Sequence, residues 1–302
     1  ATGFLNYVRD NPNSDYADEA MFNAAVYWEK AGRNDYALEV RKAFVKRFPD
    51  SEHAGRTYFN LANVYRKTCD YEAAADRLER FATANPNDEL APSAWLDASV
   101  YREDLGDAKA ALRDRIDYLK LASKSASKEK PAKVGKVRLS VGKLIQKVKG
   151  TTEAARYYDA LVKDLSSPGD RLVALGRSAE AWRSLPKRKR RVKEALAAAE
   201  KRLEAASATA LEKGTKLKGE AADLVASARL AQLQVEFDAY QKSALPSVND
   251  QEAFKAGLES ELKALSELKL QYVAVATIGS PTRSVTALRR IGDLHALYAK
   301  KV

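Results

Sequence analysis

The sequence predicts an all-α protein made of stacked helical hairpins, and three observations lead there. The first is a 37-residue echo. Pro12, Pro49 and Pro86 keep that step, as do Tyr7, Phe44, Phe81 and Tyr118, then Ala37, Ala74 and Ala111, then Ala25, Ala62 and Ser99, then Gly32, Cys69 and Gly106. A period in this range marks a repeat protein whose units cannot bury their apolar faces alone and must stack. The second is that apolar residues inside each echo recur at three- and four-residue steps, the helical period. The third is composition. Only 14 Gly and 9 Pro occur in 302 residues, while Ala, Leu, Lys and Glu dominate. The best strand candidate, Gln271 to Ile278, reads better as a helix end.

Residues 1–13 look like the second helix of a repeat whose first helix is absent, because Tyr7 and Pro12 lie one step before Phe44 and Pro49. The expectation is a parent protein that continues N-terminally. There is no initiator Met, no signal peptide and no apolar run long enough to span a membrane. Full repeats follow at about 18–51, 55–88 and 92–122, completing a regular array over 1–122. The second is the cleanest. Tyr58, Leu61, Ala62 and Tyr65 mark its first helix, and Ala74, Leu78 and Phe81 its second. Small residues (Ala62, Ala74) stand where helix backbones come close, and Asn85-Pro86-Asn87-Asp88 stops the second helix.

Ser123 to Lys133 is a polar, basic linker or loop. Residues 134–302 then carry a degenerate repeat, with Gly150-Thr151 as its turn, and a long helical extension. Ser167-Pro168 starts a short helix that ends near Leu185. Long helices are expected from Lys187 to about Lys213, Gly219 to Leu245, Asp250 to Ile278 and Pro281 to Lys301.

The residues Tyr58, Leu61, Ala62, Tyr65, Ala74, Leu78 and Pro86 resemble the signature of the tetratricopeptide repeat (TPR) family. Ala24, Ala25, Trp28, Gly32, Ala37, Phe44 and Pro49 repeat the match, as do Trp95, Ala98, Ser99, Gly106, Ala111 and Tyr118. This chain departs by three extra residues per repeat and by Cys69 at the turn glycine. The resemblance implies a right-handed α-solenoid whose first helices line a concave groove. It places Phe22, Val26 and Glu29, then Phe59, Asn63 and Arg66, then Leu96, Val100 and Glu103 on that groove. The implied partner is a peptide segment or helix of another protein. Phe59 stands where the carboxylate-clamp variety has lysine, so that variety is not expected. The run Phe48-Pro49-Asp50-Ser51-x-x-Ala54 is similar to TPR proteins of the Gram-negative envelope, of the outer-membrane-assembly and Tol–Pal kinds. The block from Ala287 faintly resembles TPR proteins of gliding bacteria. These imply a periplasmic or outer-membrane-associated scaffold, with a cytoplasmic one as the alternative.

Charge is uneven. Residues 1–120 hold 17 Lys+Arg against 21 Asp+Glu, residues 121–220 hold 25 against 11, and residues 221–302 hold 10 against 9. The central third therefore carries the whole excess of +11. Its sharpest run is Lys187, Arg188, Lys189, Arg190 and Arg191. A basic stretch of this kind draws an acidic protein, nucleic acid or an anionic surface, so the region 124–193 supports an alternative reading as an electrostatic binder. No aromatic interleaves with the run, as base stacking would need.

Catalytic chemistry has few candidates. His53 and His295 are the only histidines and lack partners at metal-ligand spacing. Gly135 to Lys143 has the wrong spacing for a phosphate loop, and Leu144 stands where a magnesium-binding hydroxyl belongs. One cysteine cannot form an intrachain disulfide; Cys69 reads as a buried or turn-lining thiol. The expectation is a protein without enzyme activity, cofactor, metal or small-molecule substrate.

Overall fold

The computed structural model describes residues 1–123, 130–186 and 189–302, and every regular element in them is helical. They form two compact units, 1–148 and 149–302.

The first unit runs α1 (Thr2–Asp10), α2 (Ala17–Lys30), α3 (Asn34–Arg47), α4 (Ala54–Lys67), α5 (Tyr71–Ala84), α6 (Ala91–Asp104), α7 (Ala108–Ala122) and α8 (Pro131–Lys149). From α1 to α7 each helix packs on the next. The result is the stacked-hairpin α-solenoid that the 37-residue echo predicts. The small residues of the echo sit at the tightest places. Ala25, Ala37, Ala62, Ala74 and Ala111 are all buried, with Phe44 and Phe81 filling the space around them. Asp70 and Asp107 start α5 and α7 as N-caps, accepting from the backbone N–H of Ala73 at 3.1 Å and Ala110 at 3.0 Å.

The hairpin turns need a left-handed residue. Gly32 and Gly106 supply it at φ 74° and 84°, while Cys69 is forced to φ 60°. Cys69 is exposed, so its thiol lines the turn without being buried. A side chain in this region costs roughly 1–2 kcal/mol. Cys69→Gly should therefore stabilise the first unit by about 1 kcal/mol, read as a higher urea midpoint under reducing conditions.

The sequence places a boundary at 123–133, whereas the division between compact units falls after residue 148. Helix α8 belongs with the first unit for a physical reason. Val134, Val137, Val141 and Leu144 are buried, Lys133 lies over the Tyr118 ring at 5.7 Å, and Lys147 pairs with Glu103 at 3.2 Å.

The second unit holds α9 (Thr151–Leu161), a 3-10 turn (Val162–Asp164), α10 (Pro168–Ser184), α11 (Arg190–Glu212), α12 (Gly219–Lys242), α13 (Gln251–Ala276) and α14 (Pro281–Lys301). Its axis is α10, which packs against α9, α11 and α12. Leu172 to Ala179 are buried without a break, so α10 has no solvent stripe along that stretch. Gly176 allows the closest approach: a Cβ there would lie 2.5 Å from the Cβ of Leu224. Polar groups carried into this interior are paired. Asp159 of α9 accepts from Ser178 Oγ at 2.7 Å and Trp182 Nε1 at 2.9 Å, and also from Arg202. Arg177 donates to Tyr158 at 3.0 Å and to Glu220 at 2.7 Å. The hairpin α13–α14 leans on α12. Lys301 ties its end down through Glu261 Oε2 at 2.8 Å and Ser243 Oγ at 2.6 Å. Of the strand candidate 271–278, residues 271–276 are the end of α13 and Thr277 is its C-cap.

Candidate functional site

Helices α2, α4 and α6 carry the nine residues that the family resemblance assigns to a groove. Phe22, Val26, Glu29, Phe59, Asn63, Leu96 and Glu103 are half-buried, while Arg66 and Val100 are exposed. The rings are already engaged. Phe22 meets Phe44 edge-on at 6.3 Å and stacks on His53 at 4.7 Å, and Phe59 meets Phe81 at 5.4 Å. These two phenylalanines therefore knit neighbouring helices together and offer only an edge outward.

Phe22, Val26 and Glu29 come together in one open cleft of about 610 Å³, walled also by His53, Arg56 and Asn60. None of those last three was singled out from sequence as a groove residue. Arg56 and Asn60 flank Phe59 on the first helix of the second repeat, so the repeat register was the signal that could have found them. Val100, Asn63 and Arg66 lie outside this cleft.

The charges of this face are arranged by the repeat. Glu29 accepts from Arg41 at 2.5 Å, and two steps along Glu103 accepts from Arg115 at the same distance. The middle repeat breaks the pattern with Arg66 and Leu78. Both acids are thus matched by arginines rising from beneath, since Arg41 and Arg115 are buried. Glu103 is held below the ordinary carboxylate range: burial opposes this, but Arg115 and Lys147 outweigh it. Asp97 is pushed up, by burial first, against the pull of Lys133 and Arg66. Arg66, whose field reaches Asp97 and Tyr101, is exposed on α4, as is Arg56.

The two ion pairs differ in one hydroxyl. Arg115 Nε donates to Ser99 Oγ at 3.3 Å. Ala25 stands at the matching place in the first repeat, and Arg41 Nε and Nη1 are buried with no partner among the described residues. An unmade hydrogen bond of this kind costs about 1–3 kcal/mol. Ala25→Ser should recover about 1 kcal/mol, read as a rise in the denaturation midpoint of the first unit.

A second buried acid lies between α5, α6 and α7. Asp114 is fully buried, and its Oδ1 accepts from Arg113 Nε at 3.0 Å. Its Oδ2 has no partner among the described residues. Glu79 lies beside it, held by Arg102 at 2.7 Å and Arg113 at 3.1 Å. Burial, and then the Glu79 charge, push Asp114 up to about 7.

The basic run divides. Lys187 and Arg188 lie outside the described residues. Lys189, Arg190 and Arg191 are exposed at the start of α11, where Arg190 pairs with Glu194 at 2.6 Å. His295 is exposed on α14. Among the described residues no cluster of His, Cys, Asp and Glu could hold a metal, and no helix is long and apolar enough to cross a membrane.

No family model matches the chain, and no curated protein matches it. Several solved structures are similar. One is a Podosopora anserina putative kinesin light chain with nearly identical TPR-like repeats, at 16% identity over 65% of this chain and 98% of that one, TM-score 0.37. Another is YrrB, a TPR protein with an unusual peptide-binding site, at 15% identity over 67% of this chain and 91% of that one, TM-score 0.38. A TPR repeats protein from Bacteroides fragilis is 12% identical over 93% of this chain and 98% of that one, TM-score 0.42. At these scores the likeness carries no argument about activity, and the stacked-hairpin fold rests on the chain's own helix pairing.

Proposed function

We propose that this chain is a non-enzymatic scaffold whose first unit holds a segment of another protein against α2, α4 and α6. The observation that carries this reading is the cleft of about 610 Å³ that gathers Phe22, Val26, Glu29, Arg56 and Asn60 on one face. Apolar edges with a few convergent polar groups are what a peptide segment or helix docks on. Val100 and Arg66, which the family resemblance puts on the same face, are exposed. The TPR resemblance of the sequence supports the class. Its envelope-type motif supports a place in a multi-protein assembly of a bacterial envelope, in the periplasm or at the outer membrane.

The test should avoid the packed rings, because replacing Phe59 would also loosen α5. Arg56→Glu with Val100→Asp changes only exposed side chains, the first of them on the cleft wall. Affinity capture from an envelope fraction, at about 0.1 M and about 0.5 M salt, should retain the same proteins on the parent chain at both salts. The double variant should lose them about tenfold or more with an unchanged thermal midpoint. Retention by the variant would overturn the reading.

A second reading has its own observation. Helix α8 has no acidic residue in its 19, and Lys189, Arg190 and Arg191 are exposed. This supports an electrostatic binder of an acidic protein, nucleic acid or anionic surface across 124–193. Capture of nucleic acid or lipid at low salt alone would favour it, since phosphate contacts weaken steeply with salt.

A further inference from the structure

Another open cleft, of about 590 Å³, lies within the array and is walled by Tyr58, Asp76, Glu79, Arg80, Trp95 and Arg113. None of the nine groove positions lines it. Helices α1 to α3 precede these walls and α8 follows them, so the opening does not come from an end of the array. Nor does the repeat ask for it. One 37-residue step earlier, Trp95, Arg80 and Arg113 become Tyr58, Ala43 and Asp76, and one step later Arg80 becomes Asp117. What stacking requires recurs at every step, and this pair of arginines beside Tyr58 and Trp95 occurs at one.

The hydrogen-bonding groups of this cleft do not balance. Arg80 Nε donates to Asp76 Oδ2 at 3.0 Å, and both Nη groups are left without an acceptor among the described residues. Arg113 Nε donates to Asp114 Oδ1 at 3.0 Å and its Nη2 lies 3.1 Å from Glu79 Oε1, which leaves Nη1 over. Trp95 Nε1 and the Tyr58 hydroxyl also have no hydrogen-bond partner among the described residues. Acceptors are scarcer. Glu79 Oε1 already takes Arg102 at 2.7 Å besides Arg113, and Asp76 keeps only Oδ1 open. The charges are uneven as well. Arg77, Arg80, Arg102 and Arg113 stand against Asp76, Glu79 and Asp114, so one cation is surplus even with every acid ionised. The side chains of Arg80 and Arg113 are 57% and 54% exposed, within reach of a ligand.

We infer that this cleft docks an acidic segment of a partner protein. An aspartate or glutamate carboxylate of the segment lies across the free end of Arg80, and an apolar side chain beside it rests on Tyr58 and Trp95. The two Nη groups of a guanidinium present a fork that a carboxylate accepts with both oxygens. A carboxylate also matches a surplus of one charge, whereas a phosphate dianion would be left facing Asp76 and Glu79. The open shape favours a protein segment, because a small molecule is held by a pocket that buries most of its surface. Backbone carbonyls of the segment supply the acceptors that Trp95 Nε1 and the Tyr58 hydroxyl lack. This surface does not depend on the groove of α2, α4 and α6, and gives a scaffold a second point of attachment.

The test pans a phage-displayed random peptide library on the whole chain at about 0.1 M salt, with the Arg80→Gln chain as counter-selection. Sequences kept by the parent alone are expected to share an aspartate or glutamate next to an aromatic or aliphatic residue. A synthetic peptide of that sequence should bind Arg80→Gln about tenfold or more weakly, the loss expected for a hydrogen bond to a charged group. Changing the peptide's acid to its amide should cost as much. Arg80→Lys keeps the charge without the fork and should restore only part of the binding. Both variants should keep the parent's thermal midpoint, because the Arg80 pair with Asp76 is exposed. The groove variant, Arg56→Glu with Val100→Asp, should bind the peptide as the parent does. No enrichment, enriched sequences without an acid, or a peptide indifferent to loss of its acid would overturn the proposal. So would a peptide that the groove variant fails to bind, since its seat would then be the groove.

Discussion

Asp159→Ala is expected to destabilise the second unit by about 3–5 kcal/mol, the range for breaking a buried polar network. Asp159 satisfies two donors that have nowhere else to turn. Ser178 is fully buried and Trp182 is 7% exposed. Each loses its acceptor in the variant, at about 1–3 kcal/mol apiece. Arg202, the third donor, has 44% of its side chain in solvent and can turn outward, so it adds little. Asp159→Asn keeps a carbonyl oxygen for one of the two donors and should cost roughly half as much. The measurement is urea denaturation followed by Trp182 fluorescence, with Trp28 and Trp95 changed to Phe so that the signal comes from the second unit alone. An alanine variant within about 1 kcal/mol of the parent would show that these bonds contribute little.

The second large effect is a pH dependence in the first unit. Asp114 titrates at about 7 in the folded chain, above its ordinary value of about 3.9. A carboxyl raised on folding stabilises fully below its unfolded pKa, and that contribution is lost as pH rises through the folded value. Stability of the first unit should therefore fall between about pH 4 and pH 8, by about 4 kcal/mol for a shift of this size. Asp114→Asn cannot ionise, and its Nδ2 donates toward Glu79. The variant should hold its urea midpoint across that window and exceed the parent at pH 8. A parent as stable at pH 8 as at pH 5 would refute the assignment.

Helices were readable in advance throughout this molecule, whereas contacts between helices outside the repeat were hidden. The hairpins from α2 to α7 follow from Pro49, Pro86, Gly32, Gly106 and the buried alanines, because each feature recurs at one step. The long helices of the second unit were legible to within a few residues from Pro168, Gly219, Asp250 and Pro281, which start or cap them. The Asp159 network was not legible. Its members lie 19, 23 and 43 residues apart in no repeat, and nothing in their order shows that α10 brings them together. Asp114 was hidden for a related reason, since an acid beside Arg113 reads as a solvated pair until α5 supplies Glu79. Of the proposed groove, the sequence carries positions and not packing. The resemblance names its positions, but burial of Phe22 and Phe59 against Phe44 and Phe81 depends on which ring wins the space between helices.

The unbroken interior of α10 decides where this chain can be cut. Any new terminus from Leu172 to Ala179 would set a charge among side chains buried without a break, and a fragment ending before Pro168 would leave α9 without the helix it packs on. Residues 246–250, outside the helices and almost wholly exposed, carry no such duty. Circular permutants, inserted domains and split reporters belong there, and the second unit should close around α10 from either order of its helices.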